Sequence, residues 1–316
     1  MKRFDWLWRP FQKSTSDAAE PPVVEQQLPA IDAEPATPLL EEQAGPEPVD
    51  TPAAAVEEPP RPMLVVPLDY EEVVPRIKSR EPFPWLVRLF DDQLPAMKRT
   101  WEELEPLAGL CQVPDDRVDD VSPYWNNVFF TGADAKIAYA FTRARKPSRI
   151  VEIGSGNSTR FFRKAIGEGG LSTRLVSIDP APRVEIADIA DEVMRTSIVD
   201  VPLPFFSELQ PGDILFFDGS HLCFHGTDVT HFFLNVLPCV RAGVLVHIHD
   251  IPLPYEYPEH FDARYYNEQY VLGAFLLGNP EWSIRLPVHF LAQRGVLLED
   301  GGSFWFEKSE RADRLK

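Results

Sequence analysis

The sequence predicts an α/β protein with a doubly wound, mostly parallel seven-stranded sheet, a helical N-terminal extension and a disordered tail. Three observations predict this class. Short apolar segments alternate with helical segments from about residue 126, which is the pattern of parallel strands joined by helices. Residues 149–160 run from an apolar strand through Glu152 into a Gly-x-Gly turn that opens a helix. Acidic residues also follow three successive predicted strands, at the edge where open α/β sheets bind ligands.

Composition and charge limit the classes of protein that the chain can represent. Its 316 residues are enough for one large α/β domain with appendages. The formal net charge of -18 opposes binding to a phosphate backbone, so we expect no nucleic-acid partner. Three scattered cysteines do not form a disulfide framework, and no apolar run reaches the roughly 18 residues of a membrane span. The sequence therefore predicts a cytoplasmic protein.

The chain divides into three predicted parts. Residues 1–61 form a tail rich in Pro, Glu and Ala, which buries too little apolar area to offset the entropy lost on ordering. Residues 1–13 within it are basic and aromatic, which suits docking to a protein or a membrane surface but also fits an ordinary terminus. Residues 62–125 predict short helices that pack on, or cover, the third part, residues 126–316.

The elements of the third part alternate regularly. Helix 132–145 has Thr131 as a candidate N-cap and ends before Pro147, and a glycine-rich turn ends helix 157–167. A strand at 303–306 on the sheet edge, or the helices before residue 125, would offer a surface for a homodimer. The other predicted helices are 183–191, 226–238 and 263–277, and the other predicted strands are 149–153, 174–178, 193–197, 213–217, 243–249 and 282–286.

Three carboxylates are predicted to line one crevice. Glu152, Asp179 and Asp218 each end a strand, and the ends of parallel strands meet at one edge of the sheet. Glycine in the neighbouring turn lets backbone N–H groups approach a ligand closely. The helix-start residues can cap the helix or bind that ligand, and they are Asn157, Ser158 and Thr159. A tight strand-to-helix turn without a ligand is the structural alternative.

A nicotinamide-dependent oxidoreductase is a weaker interpretation of the same turn. The dinucleotide fingerprint requires a third glycine where Thr159 stands, and the chain has no evident Tyr-x-x-x-Lys pair near the turn.

Several segments resemble the motifs of class I S-adenosylmethionine-dependent methyltransferases. Residues 150–159 are similar to the first motif, residues 177–180 to the second, and residues 212–221 to the fourth. Residues 124–127 and 247–250 resemble a bacterial branch of small-molecule O-methyltransferase-like proteins. The resemblance covers roughly residues 120–308. It implies a Rossmann-like methyltransferase fold and S-adenosylmethionine as the cofactor.

The resemblance also implies roles for single residues. Gly154 and Gly156 would shape the pocket for the methionine part of the cofactor, and Glu152 would hold or position that part. Asp179 would bind the ribose hydroxyls, and Asp200 would lie near the adenine.

Histidines and acids cluster at two further strand ends. Asp218 and His221 share one loop, while His249 and Asp250 end the next strand. The resemblance to metal-dependent O-methyltransferases implies a divalent ion held by Asp218, His249 and Asp250. A histidine of near-neutral pKa could instead act as a general base without a metal, and the catalytic candidates are then His249, His221 and Asp218. A purely structural hydrogen-bond network is the third interpretation, and the sequence leaves all three open.

The sequence therefore predicts an S-adenosylmethionine-dependent methyltransferase. It would transfer a methyl group to the hydroxyl of a small-molecule or glycan substrate by in-line displacement. The alternative is a non-catalytic methyltransferase-like binding or scaffold protein, in which residues 1–13 serve assembly.

Overall fold

A seven-stranded sheet organises the residues that the structure describes, which are 79–182 and 184–309 of a computed structural model. The strand order is β3-β2-β1-β4-β5-β7-β6, and the first five strands in the chain are parallel while β7 is antiparallel to both of its neighbours. The strands are β1 Arg149–Ile153, β2 Arg174–Ile178, β3 Glu192–Met194, β4 Ile214–Phe217, β5 Leu245–Ile248, β6 Trp282–Pro287 and β7 Phe304–Lys308. The mostly parallel α/β class is confirmed.

The middle of the sheet holds the core. Strands β4 and β5 are buried along their whole length, because helices cover both faces of a parallel sheet and leave no solvent face. The predicted edge position of residues 303–306 is wrong, since β7 lies between β5 and β6 and the outer strands are β3 and β6. The α-helices are α1 Pro84–Ala108, α2 Gly132–Arg145, α3 Asn157–Gly169, α4 Leu203–Ser207, α5 Asp228–His231, α6 Leu237–Cys239, α7 Glu268–Gly278 and α8 Val288–Gln293.

The helical extension differs from its prediction. The two short helices expected near residues 85–90 and 97–110 form one helix, α1, which runs through Pro95 and Pro106. Its buried side includes Phe90 and Met97, and it contacts α2, β6 and α7. This burial outweighs the backbone hydrogen bonds that the two prolines cannot donate. Residues 1–78, including the predicted tail and its basic aromatic peptide, lie outside the described residues.

Three predicted helices are also corrected. The described residues 184–191 form turns rather than a helix. The segment predicted as helix 226–238 consists of α5, a π-helical turn Phe232–Val236 and α6. Helix 263–277 divides into a 3₁₀ turn Glu259–Arg264 and α7. None of the helices within the described residues is both long enough and apolar enough to cross a bilayer.

Helix α2 begins at the predicted position, but Thr131 does not cap it. The Thr131 hydroxyl donates to the Trp125 carbonyl oxygen at 2.7 Å. Asp134 lies in the first turn of α2, where a carboxylate interacts favourably with the helix dipole. This placement carries Asp134 toward the end of β5 and into the site described next.

Candidate active site

The Gly-x-Gly turn after β1 packs directly against the loop that follows β4. Gly154 has a φ of 75°, and a Cβ at this position would lie 1.9 Å from the carbonyl oxygen of Asp218. Only glycine therefore fits, because both the backbone conformation and the contact exclude a side chain. A Cβ on Gly156 would meet no atom within 4 Å, so the space above the turn is open.

Glu152 is fully buried beneath this turn and accepts three side-chain hydrogen bonds. They come from Ser158 at 2.5 Å, Thr159 at 2.6 Å and Ser177 at 2.9 Å. Burial raises the pKa of Glu152 to about 7, although the three hydroxyls oppose the shift. In this geometry Glu152 fixes the start of α3, and the hydroxyls of Ser158 and Thr159 face Glu152.

Asp179 ties the same turn to β2. Its Oδ2 accepts hydrogen bonds from the backbone N–H and the hydroxyl of Ser155, both at 2.8 Å, and its Oδ1 accepts one from the Ala181 N–H at 2.8 Å. A carboxylate oxygen has two lone pairs, so Oδ1 retains capacity for one further donor.

A cavity of about 420 Å³ opens between the turn and the segment that precedes α2. Ser155, Gly156, Asn157 and Ser158 form one wall, and Asp218 also lines the cavity. Asp200 is exposed on the 3₁₀ turn Ile198–Asp200. The predicted cofactor residues that do not line the cavity are Glu152, Gly154, Thr159, Asp179 and Asp200. The remaining walls are lined by Arg117, Tyr124, Asn126, Asn127, Val128, Phe129, Phe130, Arg160, Val184 and Glu185.

Asp218 joins the cavity to the buried histidines. Its Oδ1 lies 3.3 Å from Nε2 of His221 and 3.9 Å from Nδ1 of His249. Burial alone would raise the pKa of Asp218, but the two nearby histidines outweigh burial and hold that pKa far below its ordinary value. Asp218 is therefore ionised, and it is the member of the predicted catalytic set that lines the cavity.

His249 is buried among three carboxylates. Its Nε2 lies 3.5 Å from Oδ2 of Asp134, and its Nδ1 lies 3.4 Å from Oδ1 of Asp250. Burial lowers the pKa of His249, but Asp218, Asp134 and Asp250 together raise it to about 9. The expectation of a near-neutral histidine is therefore wrong for His249, which is protonated at neutral pH.

His221 has its own buried partner. Its Nδ1 lies 3.0 Å from Oε2 of Glu268, and its Nε2 is 3.7 Å from Oδ2 of Asp250. Burial opposes protonation, yet Asp218 and Glu268 raise the pKa of His221 well above its ordinary value. Burial in turn raises the pKa of Glu268 to about 6, against the effect of His221.

The backbone at this edge is also unusual. His221 has a φ of 61° and Asp250 a φ of 55°, both in the left-handed region. Such a conformation costs a residue other than glycine about 1–3 kcal/mol, so the surrounding contacts must hold it in place. Strained residues of this kind cluster at functional sites.

His247 differs from its two neighbours in charge. It stacks on Phe216 with ring centroids 3.9 Å apart, and its Nε2 lies 2.9 Å from the Ser303 hydroxyl. Burial lowers the pKa of His247 well below its ordinary value. It is therefore a neutral histidine of the core.

Two acids of this network were absent from the sequence prediction. Asp134 belongs to α2, where it also accepts hydrogen bonds from the backbone N–H groups of Gly302 and Ser303 at 3.0 and 2.8 Å. Glu268 begins α7 and is fully buried. In the sequence, each is an ordinary acid in the first turn of a helix, and no local pattern distinguishes it from other acids at helix starts.

The predicted metal ligands Asp218, His249 and Asp250 do lie together. Within residues 79–182 and 184–309, however, no group of three or more His, Cys, Asp or Glu side chains is arranged to hold a metal ion. The imidazoles form ion pairs with carboxylates instead. The metal remains a prediction.

Comparison with known proteins gives one family match. Residues 151–251, from β1 to just beyond β5, match the family model described as a methyltransferase domain. The comparison with curated proteins gives no match.

Several solved structures are similar to the chain at low identity. One is CmcI with S-adenosylhomocysteine, 18% identical over 62% of this chain and 88% of that one, with a TM-score of 0.38. Another is the Podospora anserina methyltransferase PaMTH1 bound to S-adenosylhomocysteine, with 15% identity, 74% and 100% coverage and a TM-score of 0.39. A third is the Bacillus cereus O-methyltransferase in complex with S-adenosylhomocysteine, with 16% identity, 71% and 96% coverage and a TM-score of 0.36.

Proposed function

Since residues 151–251 carry a methyltransferase domain, whose methyl donor is S-adenosylmethionine, we propose that the chain methylates a hydroxyl of a small molecule. One observation carries the choice of reaction. The cavity brings the glycine turn, where a cofactor would bind, to the ionised Asp218, where a hydroxyl would bind. A cavity of about 420 Å³ falls within the range of small-molecule sites, which supports a small acceptor over a glycan chain.

The turn residues fit the amino-acid part of the cofactor. Gly156 leaves open space above the turn, and Ser155, Asn157 and Ser158 line the cavity. Glu152 holds this wall in place through the hydroxyls of the first helical turn. Asp179 keeps one acceptor position on Oδ1 for a ribose hydroxyl, and a place for Asp200 beside the adenine remains a prediction.

The acceptor's proton would leave through the buried network. Asp218 accepts a hydrogen bond from the acceptor hydroxyl and orients its oxygen toward the transferable methyl group, which is a positioning effect. His249, in its neutral form, then takes the proton through Asp218. His221 and Glu268 hold Asp218 in place from the other side. The oxygen forms a bond to the methyl carbon as the carbon–sulfur bond breaks, and S-adenosylhomocysteine leaves.

No step is routed through a metal, because the predicted ligands are arranged as ion pairs. Nδ1 of His249 lies 3.9 Å from Oδ1 of Asp218 and 3.4 Å from Oδ1 of Asp250. Turnover that depends on added Mg²⁺ or Mn²⁺ would restore the metal interpretation.

Calorimetry on the full chain tests the cofactor first. We expect micromolar affinity for S-adenosylhomocysteine and no binding of NAD. Transfer of a labelled methyl group from S-adenosylmethionine is then screened across hydroxylated small molecules, with and without EDTA. Cofactor binding without transfer to any acceptor would favour the non-catalytic alternative, and binding of NAD alone would overturn the proposal.

A further inference from the structure

Arg160 is a buried cation that forms no ion pair with any residue that the structure describes. It is the fourth residue of α3, it is 2% exposed, and its Nε makes no hydrogen bond with any described residue. Among those residues, no carboxylate lies within ion-pair distance of its guanidinium. The other cations of this helix differ, since Arg163 pairs with Asp191 at 2.9 Å and Lys164 with Glu168 at 2.6 Å.

Arg160 lies where a bound ligand could contact it. The residue lines the cavity of the glycine turn, and it also lines a second cavity of about 370 Å³. Its guanidinium carbon lies 5.8 Å from the centroid of the Tyr124 ring, a contact that restricts the plane of the fork. Asp119 lies near enough to Arg160 for their charges to interact. The carboxylate of Asp119, however, already accepts hydrogen bonds from Val121 and Ser122.

Burial of an unpaired charge is costly, so the structure needs an anion at this position once the site is filled. The start of α3 adds to this demand, because a helix N-terminus favours negative charge. The second arginine of the cavity, Arg117, already pairs with Asp120, which leaves one unneutralised guanidinium. A single planar fork matches a single carboxylate, which it can bind through two parallel hydrogen bonds.

We propose that Arg160 forms a carboxylate-binding subsite in the wall of the cavity, a role that rests on the proposed function. The carboxylate has two sources. It belongs either to the amino-acid part of the cofactor, lying along residues 155–158, or to an acidic group on the methyl acceptor.

Two ligands that differ only in the carboxylate distinguish these sources. Calorimetry on the full chain compares S-adenosylhomocysteine with its decarboxylated analogue, which keeps the amine, thioether and adenosine. If the cofactor supplies the anion, Arg160→Gln weakens S-adenosylhomocysteine about tenfold to a hundredfold and leaves the analogue unchanged. Arg160→Lys, which keeps the charge but loses the fork, should give a smaller loss.

A second arm tests the acceptor as the source. Benzoate binding is followed by saturation-transfer NMR, with and without saturating S-adenosylhomocysteine. If the acceptor supplies the anion, Arg160→Gln abolishes benzoate binding and leaves the affinity for S-adenosylhomocysteine intact. Arg174→Gln is the matched control, because Arg174 lies on β2 in an exposed ion pair with Glu192. Removal of this one arginine charge should change neither result.

The outcomes separate the subsite from the proposed function. A wild-type chain that binds no S-adenosylhomocysteine defeats the proposed function, yet its benzoate arm still tests Arg160. Equal losses for S-adenosylhomocysteine and its analogue would indicate a structural residue and overturn the subsite. Unchanged binding of every probe in Arg160→Gln would overturn it as well.

Discussion

The acids of the two halves of the sheet edge differ in their partners, and their pKa values move in opposite directions; Glu152 is fully buried, whereas the Asp218 side chain is 36% exposed. At the end of β1, Glu152 is surrounded by hydroxyls, and burial raises its pKa to about 7. At the end of β4, Asp218 is surrounded by histidines, which hold its pKa far below the ordinary value. The hydroxyl half lies under the glycine turn, and in the histidine half Asp218 lines the cavity.

This difference shows that the partners of a carboxyl group can outweigh burial in setting its pKa. A hydroxyl satisfies an acid in either protonation state, whereas an imidazolium stabilises only the carboxylate. In the proposed mechanism, Glu152 positions the cofactor while it carries less negative charge, and Asp218 stays ionised and accepts a hydrogen bond from the acceptor hydroxyl. The predictions below break one half at a time.

Breaking the histidine half should have the largest effect. Asp218→Asn removes the carboxylate that orients the acceptor and relays its proton, so we expect turnover to fall about 10²–10⁴-fold. Affinity for S-adenosylhomocysteine should stay within about twofold. Labelled methyl transfer and calorimetry measure the two quantities. The exposed Asp92→Asn is the control, and full turnover in Asp218→Asn would remove that residue from the mechanism.

In the hydroxyl half, Glu152 should change how the free energy of unfolding depends on pH. The pKa of Glu152 rises from 4.5 to about 7 on folding, so the folded state holds its proton more tightly. Glu152 therefore stabilises the folded state fully below pH 4.5. This contribution to the free energy of unfolding, about 3 kcal/mol, is lost as the pH rises through about 7. Urea unfolding at several pH values should show this loss relative to Glu152→Gln.

The exposed Glu102→Gln serves as the matched control for that titration, since it removes a carboxylate from the solvent side of α1. A wild-type curve parallel to that of Glu152→Gln between pH 4.5 and 7 would mean that Glu152 is ionised when folded.

The histidine half should also set the pH profile of turnover. With a pKa of about 9, His249 is neutral in only about 1% of molecules at pH 7. Its neutral fraction rises about tenfold per pH unit, so turnover should rise with pH and level off near pH 9. His249→Gln should lower turnover and flatten the profile without changing cofactor affinity. A wild-type rate that is constant from pH 6 to 8 would exclude His249 as the base.

The smallest expected effect belongs to Asp179, which follows β2 beside the hydroxyl half. Asp179→Ala would remove the acceptor that we propose for a ribose hydroxyl, together with three hydrogen bonds to Ser155 and Ala181. We expect about tenfold weaker binding of S-adenosylhomocysteine, measured by calorimetry. Asp200→Ala is the informative companion, because Asp200 is exposed and lacks the hydrogen bonds that tie Asp179 to Ser155, so its loss should change the affinity little. Equal losses in both variants would assign Asp200 a ligand role.

Local pattern was sufficient for much of the fold. Strand β1, strand β2 and helix α2 have the predicted bounds, because their apolar pattern and flanking residues act over a few positions. Helix α1 was predicted in two pieces because its prolines read as breaks, while packing of Phe90 and Met97 outweighs them. Residues 184–191 form turns instead of the predicted helix, and Ile186 and Ile189 are buried there.

The candidate site shows a different limit. Strand ends share an edge, so the sequence predicted that Asp218, His221, His249 and Asp250 would meet, and the structure has them together. Their charges depend on Asp134 and Glu268, which come from helices at distant positions in the chain. A pKa follows from all carboxylates within a few ångströms, and such distances are known only after folding.

Asp134 and Glu268 have a consequence for moving this chemistry between proteins. Both lie outside residues 151–251, on either side of the matched domain. Grafting that domain onto another scaffold would transfer the glycine turn, the two histidines, Asp218 and Asp250, but it would leave Asp134 and Glu268 behind. A transplant that keeps the pKa values of the two histidines must therefore extend from α2 to α7, so that Asp134 and Glu268 are included.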